Sequence, residues 1–235
     1  MGKHKLVGPP QDIAEAIPSV EQLVDALARS TRVVGPVLYR AASSPAGILP
    51  DRVWRPYRFG PPEALIAALG SAPFGWLYMS LMPETAVWEA RFARNDARRP
   101  GTFYLDAEAE RTGLIATLTF PRQLRVWDLG APASSLLGIY DQLSSPDYEW
   151  AQWFGVRLHE AMQRVAPDDR PDGALYPSRR FRGQDAVILS FEALAPLRAG
   201  ITYTSTPFVE HPAHEWLREH PLRREPPERT RGVEE

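Results

Sequence analysis

Five polar side chains stand out because the residues around them are strand-like or aromatic: Arg40, Arg58, Tyr78, Glu89 and Ser178. Glu89 is the most unusual, since a helix over 83–93 would place only small or apolar side chains three and four positions from it. A carboxylate in such surroundings needs a bonding partner or a catalytic role. The other four also have ordinary explanations: a strand-end arginine is commonly a surface ion pair, a strand tyrosine belongs to the core, and a serine after proline is a turn residue.

A strand followed directly by a helix must position Glu89. Large apolar residues alternate over 75–80, which is typical of a half-buried strand, and Pro83 suits the first turn of a helix because its missing N–H costs nothing there. Tyr78 would lie on the strand and Glu89 on the second turn of the helix. Arg58 and Phe59 belong instead to an aromatic, proline-rich segment that we interpret as an ordered loop.

The remaining elements are irregular in order. Ser19 with Gln22 forms a capping-box signature at the start of an amphipathic helix over 19–30. Further helices are predicted over 63–69, 134–143 and 148–165, and strands over 35–42, 102–105, 113–120, 123–129, 174–178, 186–191 and 201–204. The three strands between 102 and 129 are expected to form a meander. Because no regular βαβ alternation is present, we predict an α+β fold.

The domain organisation follows from where the apolar pattern begins and ends. The chain has 235 residues, of which 44% are hydrophobic, enough for one substantial core. We expect an N-terminal extension with one amphipathic helix over 1–34, a single folded domain over 35–210, and a disordered tail over 211–235, where charged residues and prolines dominate.

Composition excludes several functions. The 27 Lys and Arg nearly balance the 29 Asp and Glu, so no basic bias favours direct binding to nucleic acid. Without cysteine there is no thiol nucleophile, disulfide or cysteine-bound zinc. No apolar run approaches the roughly 20 residues that cross a bilayer, and the first residues lack the apolar block of a signal peptide, which predicts a cytoplasmic protein that does not bind membranes. P-loop, dinucleotide-fingerprint, nucleophile-elbow and zincin motifs are also missing.

A metal site is not expected. His211 and His214 are the one histidine pair at ligand-like spacing, and Glu210 and Glu215 lie beside them. A convincing further ligand is lacking, and the segment leads into the predicted tail. A solvated loop is therefore the favoured interpretation.

Four blocks in order resemble a known family: Leu38-Tyr-Arg40, Arg58-Phe-Gly-Pro-Pro62, Leu77-Tyr-Met-Ser-x-x-x-Glu-Thr-Ala-x-x-Glu89 and Gly173-Ala-Leu-Tyr-Pro-Ser178. Together they are similar to the RES domain, which is named for its Arg, Glu and Ser. The resemblance implies a domain folded like ADP-ribosyltransferase toxins, which acts on NAD and is the toxin half of a bacterial toxin–antitoxin pair. The partner it implies is a helix-turn-helix antitoxin, and a homo-oligomer is left open.

The resemblance also implies roles for individual residues. Arg40, Glu89 and Ser178 would be the catalytic signature, while Arg58, Tyr78 and Phe59 would bind NAD without a metal. Three positions depart from the family pattern: Ala41 stands where an aromatic can wall the site, Pro56-Tyr57 replaces two glycines, and Gly60 stands where asparagine is common.

The acceptor of the ADP-ribosyl group stays open at this point. Phosphate would make the protein an NAD phosphorylase, water a glycohydrolase, and a protein side chain a mono-ADP-ribosyltransferase. Phosphorolysis is preferred, because of the family and because two arginines could hold an additional anion. A different class of function, an inactive RES-like binding module, is the alternative. Ala41 and the missing glycines favour it, while retention of all three signature residues argues against it.

Overall fold

An eight-stranded mixed sheet forms the centre of the protein, as seen in a computed structural model that describes residues 7–52, 56–130 and 132–227. In chain order, the strands are β1 (Thr31–Val34), β2 (Val37–Ala42), β3 (Trp76–Ser80), β4 (Ala93–Asn95), β5 (Phe103–Leu105), β6 (Leu114–Thr119), β7 (Leu124–Asp128), β8 (Gly173–Pro177), β9 (Asp185–Ser190) and β10 (Thr202–Pro207). Eight of them lie in the order β1-β7-β8-β9-β3-β2-β6-β10. Within this sheet β7 and β8 run parallel and the other neighbours antiparallel.

Helices flank the sheet, which confirms the predicted α+β class in one compact domain. They are α1 (Gln11–Ala16), α2 (Val20–Ala28), α3 (Glu63–Leu69), α4 (Pro83–Glu89), α5 (Ala107–Thr112), α6 (Ala133–Leu136), α7 (Tyr148–Arg164), α8 (Phe191–Leu194) and α9 (Pro212–Arg218). The predicted helix over 134–143 is mostly irregular, since α6 is short and a 3-10 turn, Gln142–Ser144, follows it.

Successive side chains of β3 point to opposite faces of the sheet and pack against different helices. Trp76 points into a cluster with apolar residues of α2 and α7, such as Leu23 and Phe154. Leu77, one residue further, packs on the opposite face with Leu194 of α8. A strand buried on both faces needs such a continuous apolar run, and burial of apolar surface is the main favourable contribution to folding.

The N-terminal extension contains more structure than the single helix predicted. The capping box of α2 is present as expected: Ser19 Oγ accepts from Gln22 N, and Gln22 Oε1 accepts from Ser19 N at 2.8 Å. A second helix, α1, precedes it and buries Ile13. After α2 the chain adds β1 to the sheet beside β7, so the extension forms part of the same core.

The predicted meander over 102–129 is wrong. β5 pairs with β4 in a separate two-stranded sheet, β6 lies between β2 and β10, and β7 lies between β1 and β8. An alternating pattern shows which side of a strand is buried, but it carries no information about which strand is its neighbour.

The expectation of a disordered tail from residue 211 is also wrong for the part of the tail that is described. α9 begins after His211, whose Nδ1 accepts from Ala213 N at 3.1 Å, and it buries Leu217. The following residues run beside β5, where Phe103 N donates to Leu222 O at 3.2 Å. A helix this short has only a few apolar positions, and the surrounding charges and prolines hide its period. Residues 228–235 lie outside the described residues.

The ladder between β2 and β3 is the feature of the sheet that shapes the site. These strands pair at one position, Tyr39 with Ser80, although β2 pairs with β6 along its whole length. Beyond that pair the strands separate where Arg40 and Tyr78 lie. In this gap, strand carbonyls lack a hydrogen bond from the neighbouring strand, and a side chain can donate to them instead.

Candidate active site

Helix α4 delivers Glu89 at its last residue rather than on an internal turn. The helix stops because Arg91 adopts a left-handed conformation with φ of 65°, and Phe92 N then donates back to Val87 O at 3.0 Å. The residues before Glu89, from Thr85 to Trp88, are buried. The helix is thus fixed by packing, and its carboxylate projects from the end.

Both oxygens of Glu89 accept hydrogen bonds from β8 and the turn that follows it. Ser178 Oγ donates to Oε1 at 2.6 Å, and Tyr176 Oη donates to Oε2 at 3.1 Å. The Ser178 oxygen itself accepts from Phe181 N at 3.0 Å and from Arg180 N at 3.3 Å, so its proton is directed towards Glu89. Burial, followed by the charge of Glu89, raises the pKa of Tyr176 well above its ordinary value, which keeps this hydroxyl a donor.

Two side chains of β3 hold the loop that carries Arg58. Tyr78 Oη accepts from Phe59 N at 2.8 Å, and Trp76 Nε1 donates to Phe59 O at 2.7 Å. Both backbone groups of Phe59 are therefore bonded, and the preceding Arg58 is held in place. Tyr78 acts here as a positioning residue, and burial raises the pKa of its hydroxyl.

A glycine of α7 lets this loop lie close to the helix. A Cβ atom at Gly155 would lie 2.0 Å from Phe59 O, a distance that no side chain tolerates. The loop contains a tight turn over 57–60, in which Gly60 N donates to Tyr57 O at 2.9 Å. Glycine suits this turn, because a Cβ at Gly60 would lie 3.0 Å from Tyr57 N. The departure at Gly60 thus matches the local backbone.

Arg58 is buried, with 7% of its surface exposed, and it points towards backbone carbonyls. Its Nη2 donates to Leu143 O, to Ser145 O at 3.3 Å and to Gln142 O at 3.4 Å. Burial lowers the pKa of Arg58, and the neighbouring charge of Arg179 lowers it further. Among the described residues, its Nε and Nη1 have no hydrogen-bond partner.

Arg40 reaches across the gap between β2 and β3. Its Nη1 donates to Tyr78 O at 2.5 Å, and its Nε donates to Gly47 O at 2.8 Å. Burial lowers the pKa of Arg40, while the hydroxyls of Tyr57 and Tyr78 oppose that shift. Much of the guanidinium is therefore committed to the backbone, and Nη2 is the nitrogen not used in these two bonds.

The site residues predicted from the sequence divide into three groups. Glu89 and Ser178 are in direct contact, and Arg58 and Tyr78 lie near enough to Tyr176 to influence its pKa. Arg40 meets this group through the Tyr78 carbonyl rather than through Glu89.

Phe59 belongs to the third group, because the structure does not place it where it could touch a ligand. Its side chain has no exposed surface and packs edge-on against Tyr176 at 5.1 Å between ring centroids. The side chain packs beneath Tyr176, and the predicted NAD-binding role of Phe59 stays a prediction.

Tyr176, which bonds Glu89, is one residue of the candidate site that sequence reasoning missed. Two residues before Ser178, it lies on the same side of an extended chain, and this spacing was a usable signal. Arg179, one residue after Ser178, was also missed, and its guanidinium lies 5.3 Å from the ring centre of Tyr148.

The other two departures lie on opposite sides of the site. Ala41 is buried in the cluster that includes Val87 of α4, so it contributes to packing. Tyr57 is half-exposed, and its ring lies edge-on to Tyr78 at 5.5 Å between centroids. An aromatic side chain therefore borders the site from the loop rather than from β2.

An aromatic stack packs against the turn that contains Ser178, on its C-terminal side. Phe181, whose N–H binds Ser178, stacks on Trp88 with a centroid distance of 5.9 Å and an interplanar angle of 9°. Trp216 of α9 lies edge-on to Phe181 at 6.3 Å. The helix that was predicted to be disordered thus packs behind the residues that hold Glu89 and Ser178.

The two histidines bond other groups of the protein. His211 caps α9, and buried His214 bonds Glu110 through Nε2 at 2.9 Å, so the predicted solvated loop is wrong. Over residues 7–52, 56–130 and 132–227 no three potential ligands come together. Within the same ranges, no helix is both long and apolar enough to cross a membrane.

Comparison with known proteins agrees with the geometry. The family model described as the RES domain matches residues 37–211, which is well over half of the chain and contains Arg40, Glu89 and Ser178. No curated protein and no solved structure matches the chain. The match begins at the first residue of β2 and ends just before α9, so the extension and the last helix lie outside it. The chain belongs to the RES-domain family.

Proposed function

We propose that this protein cleaves the nicotinamide–ribose bond of NAD and transfers the ADP-ribosyl group to phosphate. The observation that supports this most directly is the carboxylate of Glu89, bonded at both oxygens by Ser178 and Tyr176. Close to it lies a buried guanidinium, Arg58, whose nitrogens are only partly satisfied by the described residues. A fixed negative charge beside an anion-binding group suits a reaction of NAD with phosphate.

The chemistry requires the negative charge. Nicotinamide leaves the ribose as a neutral molecule when the C–N bond breaks, because the bonding electrons neutralise its cationic ring nitrogen. Positive charge then develops on the ribose, as in glycoside hydrolysis, and a carboxylate fixed beforehand stabilises it. Ser178 and Tyr176 keep Glu89 in one orientation, so little reorganisation is needed during the reaction.

Phosphate would complete the reaction by forming a new bond from one of its oxygens to the ribose carbon. Arginine side chains match phosphoryl groups in charge and geometry. Water or a protein side chain would replace phosphate in a glycohydrolase or a mono-ADP-ribosyltransferase. The same proposal includes a toxin-like role and a helix-turn-helix antitoxin that covers the site around Glu89. Both are supported by family membership.

The acceptor can be tested with the purified protein. We expect NAD to disappear several times faster in phosphate than in a non-phosphate buffer of equal ionic strength, with nicotinamide and a phosphorylated ADP-ribose as products by mass spectrometry. Free ADP-ribose at an equal rate in both buffers would indicate a glycohydrolase. A mass increase on a protein would indicate ADP-ribosyl transfer. If folded protein releases no nicotinamide under any condition, the enzymatic proposal is wrong.

An inactive binding module remains the second candidate, and one observation favours it. The polar groups of the site are largely satisfied internally, since Glu89 bonds Ser178 and Tyr176 while Arg40 bonds two backbone carbonyls. Such a module would bind NAD without consuming it. Calorimetry with NAD, together with the nicotinamide assay, separates binding alone from catalysis.

Trp216→Ala should weaken catalysis with little loss of stability. Trp216 is half-exposed, so we expect a loss of about 1 kcal/mol in unfolding free energy, together with a several-fold decrease in kcat, because Phe181 loses its edge-on contact behind the Ser178 turn. Tyr203→Ala is the matched control, since Tyr203 is an equally exposed aromatic on the edge strand β10. Equal kcat values for the two variants would contradict a supporting role for α9.

A further inference from the structure

Arg179 is the second cation beside the catalytic residues, and its position links it to Arg58. Its Nη1 donates to Ser145 O at 3.1 Å, and Arg58 Nη2 donates to the same oxygen at 3.3 Å. The two guanidiniums therefore converge on one carbonyl, from the turn after β8 on one side and from the loop before α3 on the other. The ring of Tyr148 lies beneath the Arg179 guanidinium.

This convergence places two like charges together with little to balance them. Each guanidinium bonds backbone carbonyls, and the described residues provide an ion-pair carboxylate for neither. Glu89 is near Arg58, but its oxygens already accept from Ser178 and Tyr176. Burying a cation without a counter-charge is unfavourable, and the penalty is larger beside a second cation.

Unused donors of Arg58 show which nitrogens lack a counter-charge. Nε and Nη1 of Arg58 are buried without a partner among the described residues, although the residue is only 7% exposed. Arg40 is less suited to this task, because Nε and Nη1 of its guanidinium already bond the backbone. Nε and Nη1 lie on different edges of the Arg58 guanidinium, so each can give one charge-assisted hydrogen bond to a phosphoryl oxygen, and a dianion can accept from both arginines.

We propose that Arg58 and Arg179 together form a phosphoryl-binding site, in which Arg179 supplies the second guanidinium. The site takes inorganic phosphate or the pyrophosphate of an ADP-ribosyl compound, two sources of the same chemistry. The inference rests on the proposed function for the identity of these ligands, but not for the existence of the site. Both side chains donate to Ser145 O, which keeps the two guanidiniums beside each other.

Calorimetry in the absence of NAD tests the site. Inorganic phosphate and ADP-ribose are titrated separately into the full chain at constant ionic strength. For Arg179→Ala we expect a loss of about tenfold or more in affinity for at least one of them, the value of a charge-assisted hydrogen bond. Arg182→Ala is the matched control, because it removes the same charge from an exposed position three residues away, and it should change affinity less than twofold. Loss for phosphate identifies the free anion as ligand, and loss for ADP-ribose alone identifies the pyrophosphate.

Two further results keep the test decisive. Arg179→Lys retains the charge and loses the fork, so it guards against an Arg179→Ala variant that fails to fold, and it should bind the affected ligand several-fold more weakly than the parent. If the parent binds neither ligand, or if folded Arg179 variants bind like Arg182→Ala, the site is refuted. An Arg179-dependent site in a protein that releases no nicotinamide would refute the proposed function and leave this inference standing.

Discussion

Glu89→Gln is expected to lower the rate of NAD cleavage by about a hundredfold to a thousandfold, because the substitution removes the charge that stabilises a cationic ribose while keeping the size of the side chain. The new amide also places N–H donors where hydroxyl donors now point, so one of the bonds from Ser178 and Tyr176 is lost. The measurement is nicotinamide release at saturating NAD, together with a thermal unfolding curve.

Glu84→Gln is the matched control for this prediction. Glu84 lies in the first turn of the same helix, five residues earlier, and is partly exposed. Its loss of charge should leave kcat within about twofold of the parent, since it bonds no residue of the site and surface charges have small effects. A folded Glu89→Gln variant that retains parental activity would show that Glu89 is not the catalytic carboxylate.

Gly155→Ala is expected to disrupt both the fold and the site. In an ordinary helix this change stabilises by about 1 kcal/mol. Here the new methyl group would lie 2.0 Å from Phe59 O, so the Arg58 loop or α7 must shift, and overpacking of this kind costs about 1–3 kcal/mol. Because Phe59 is bonded to Trp76 and Tyr78, the shift would also move Arg58. The rate of NAD cleavage should therefore fall at least as much as the fraction of folded protein does.

The control for Gly155 is Gly35→Ala, where a Cβ atom would meet nothing within 4 Å. Denaturant unfolding of the two variants at one temperature gives the comparison directly. We expect Gly35→Ala to match the parent and Gly155→Ala to unfold at a clearly lower midpoint with the same slope. If Gly155→Ala is as stable and as active as the parent, close packing of α7 on the loop does not position Arg58.

Local signals in the sequence were sufficient for most elements and for part of the site. The alternation at Trp76 and Tyr78 and the proline at 83 placed the strand and the helix start within a residue, since both depend on nearby side chains. The end of α4 was missed because it depends on the left-handed conformation at Arg91, a residue type with no preference for it.

Long-range information was harder to obtain. The neighbours of β6 and β7 are set by pairing across the whole sheet, and a strand's own pattern does not encode them. The burial of Phe59 could not be foreseen, because its ring packs against Tyr176, more than a hundred residues away. The order of α9 depends likewise on packing against residues that local composition does not reveal.

Arg40, the signature arginine, has a second role: its side chain replaces backbone hydrogen bonds between two strands. Where β2 and β3 separate, its guanidinium donates to Tyr78 O on the strand and to Gly47 O. Elsewhere in a sheet, the backbone N–H groups of a neighbouring strand bond such strand carbonyls. A lysine has one ammonium group and cannot reproduce this planar spacing. Loss of activity on replacing Arg40 would therefore have two causes: weaker ligand binding and weaker cohesion of the sheet between β2 and β3. The unfolding midpoint measures the loss of cohesion.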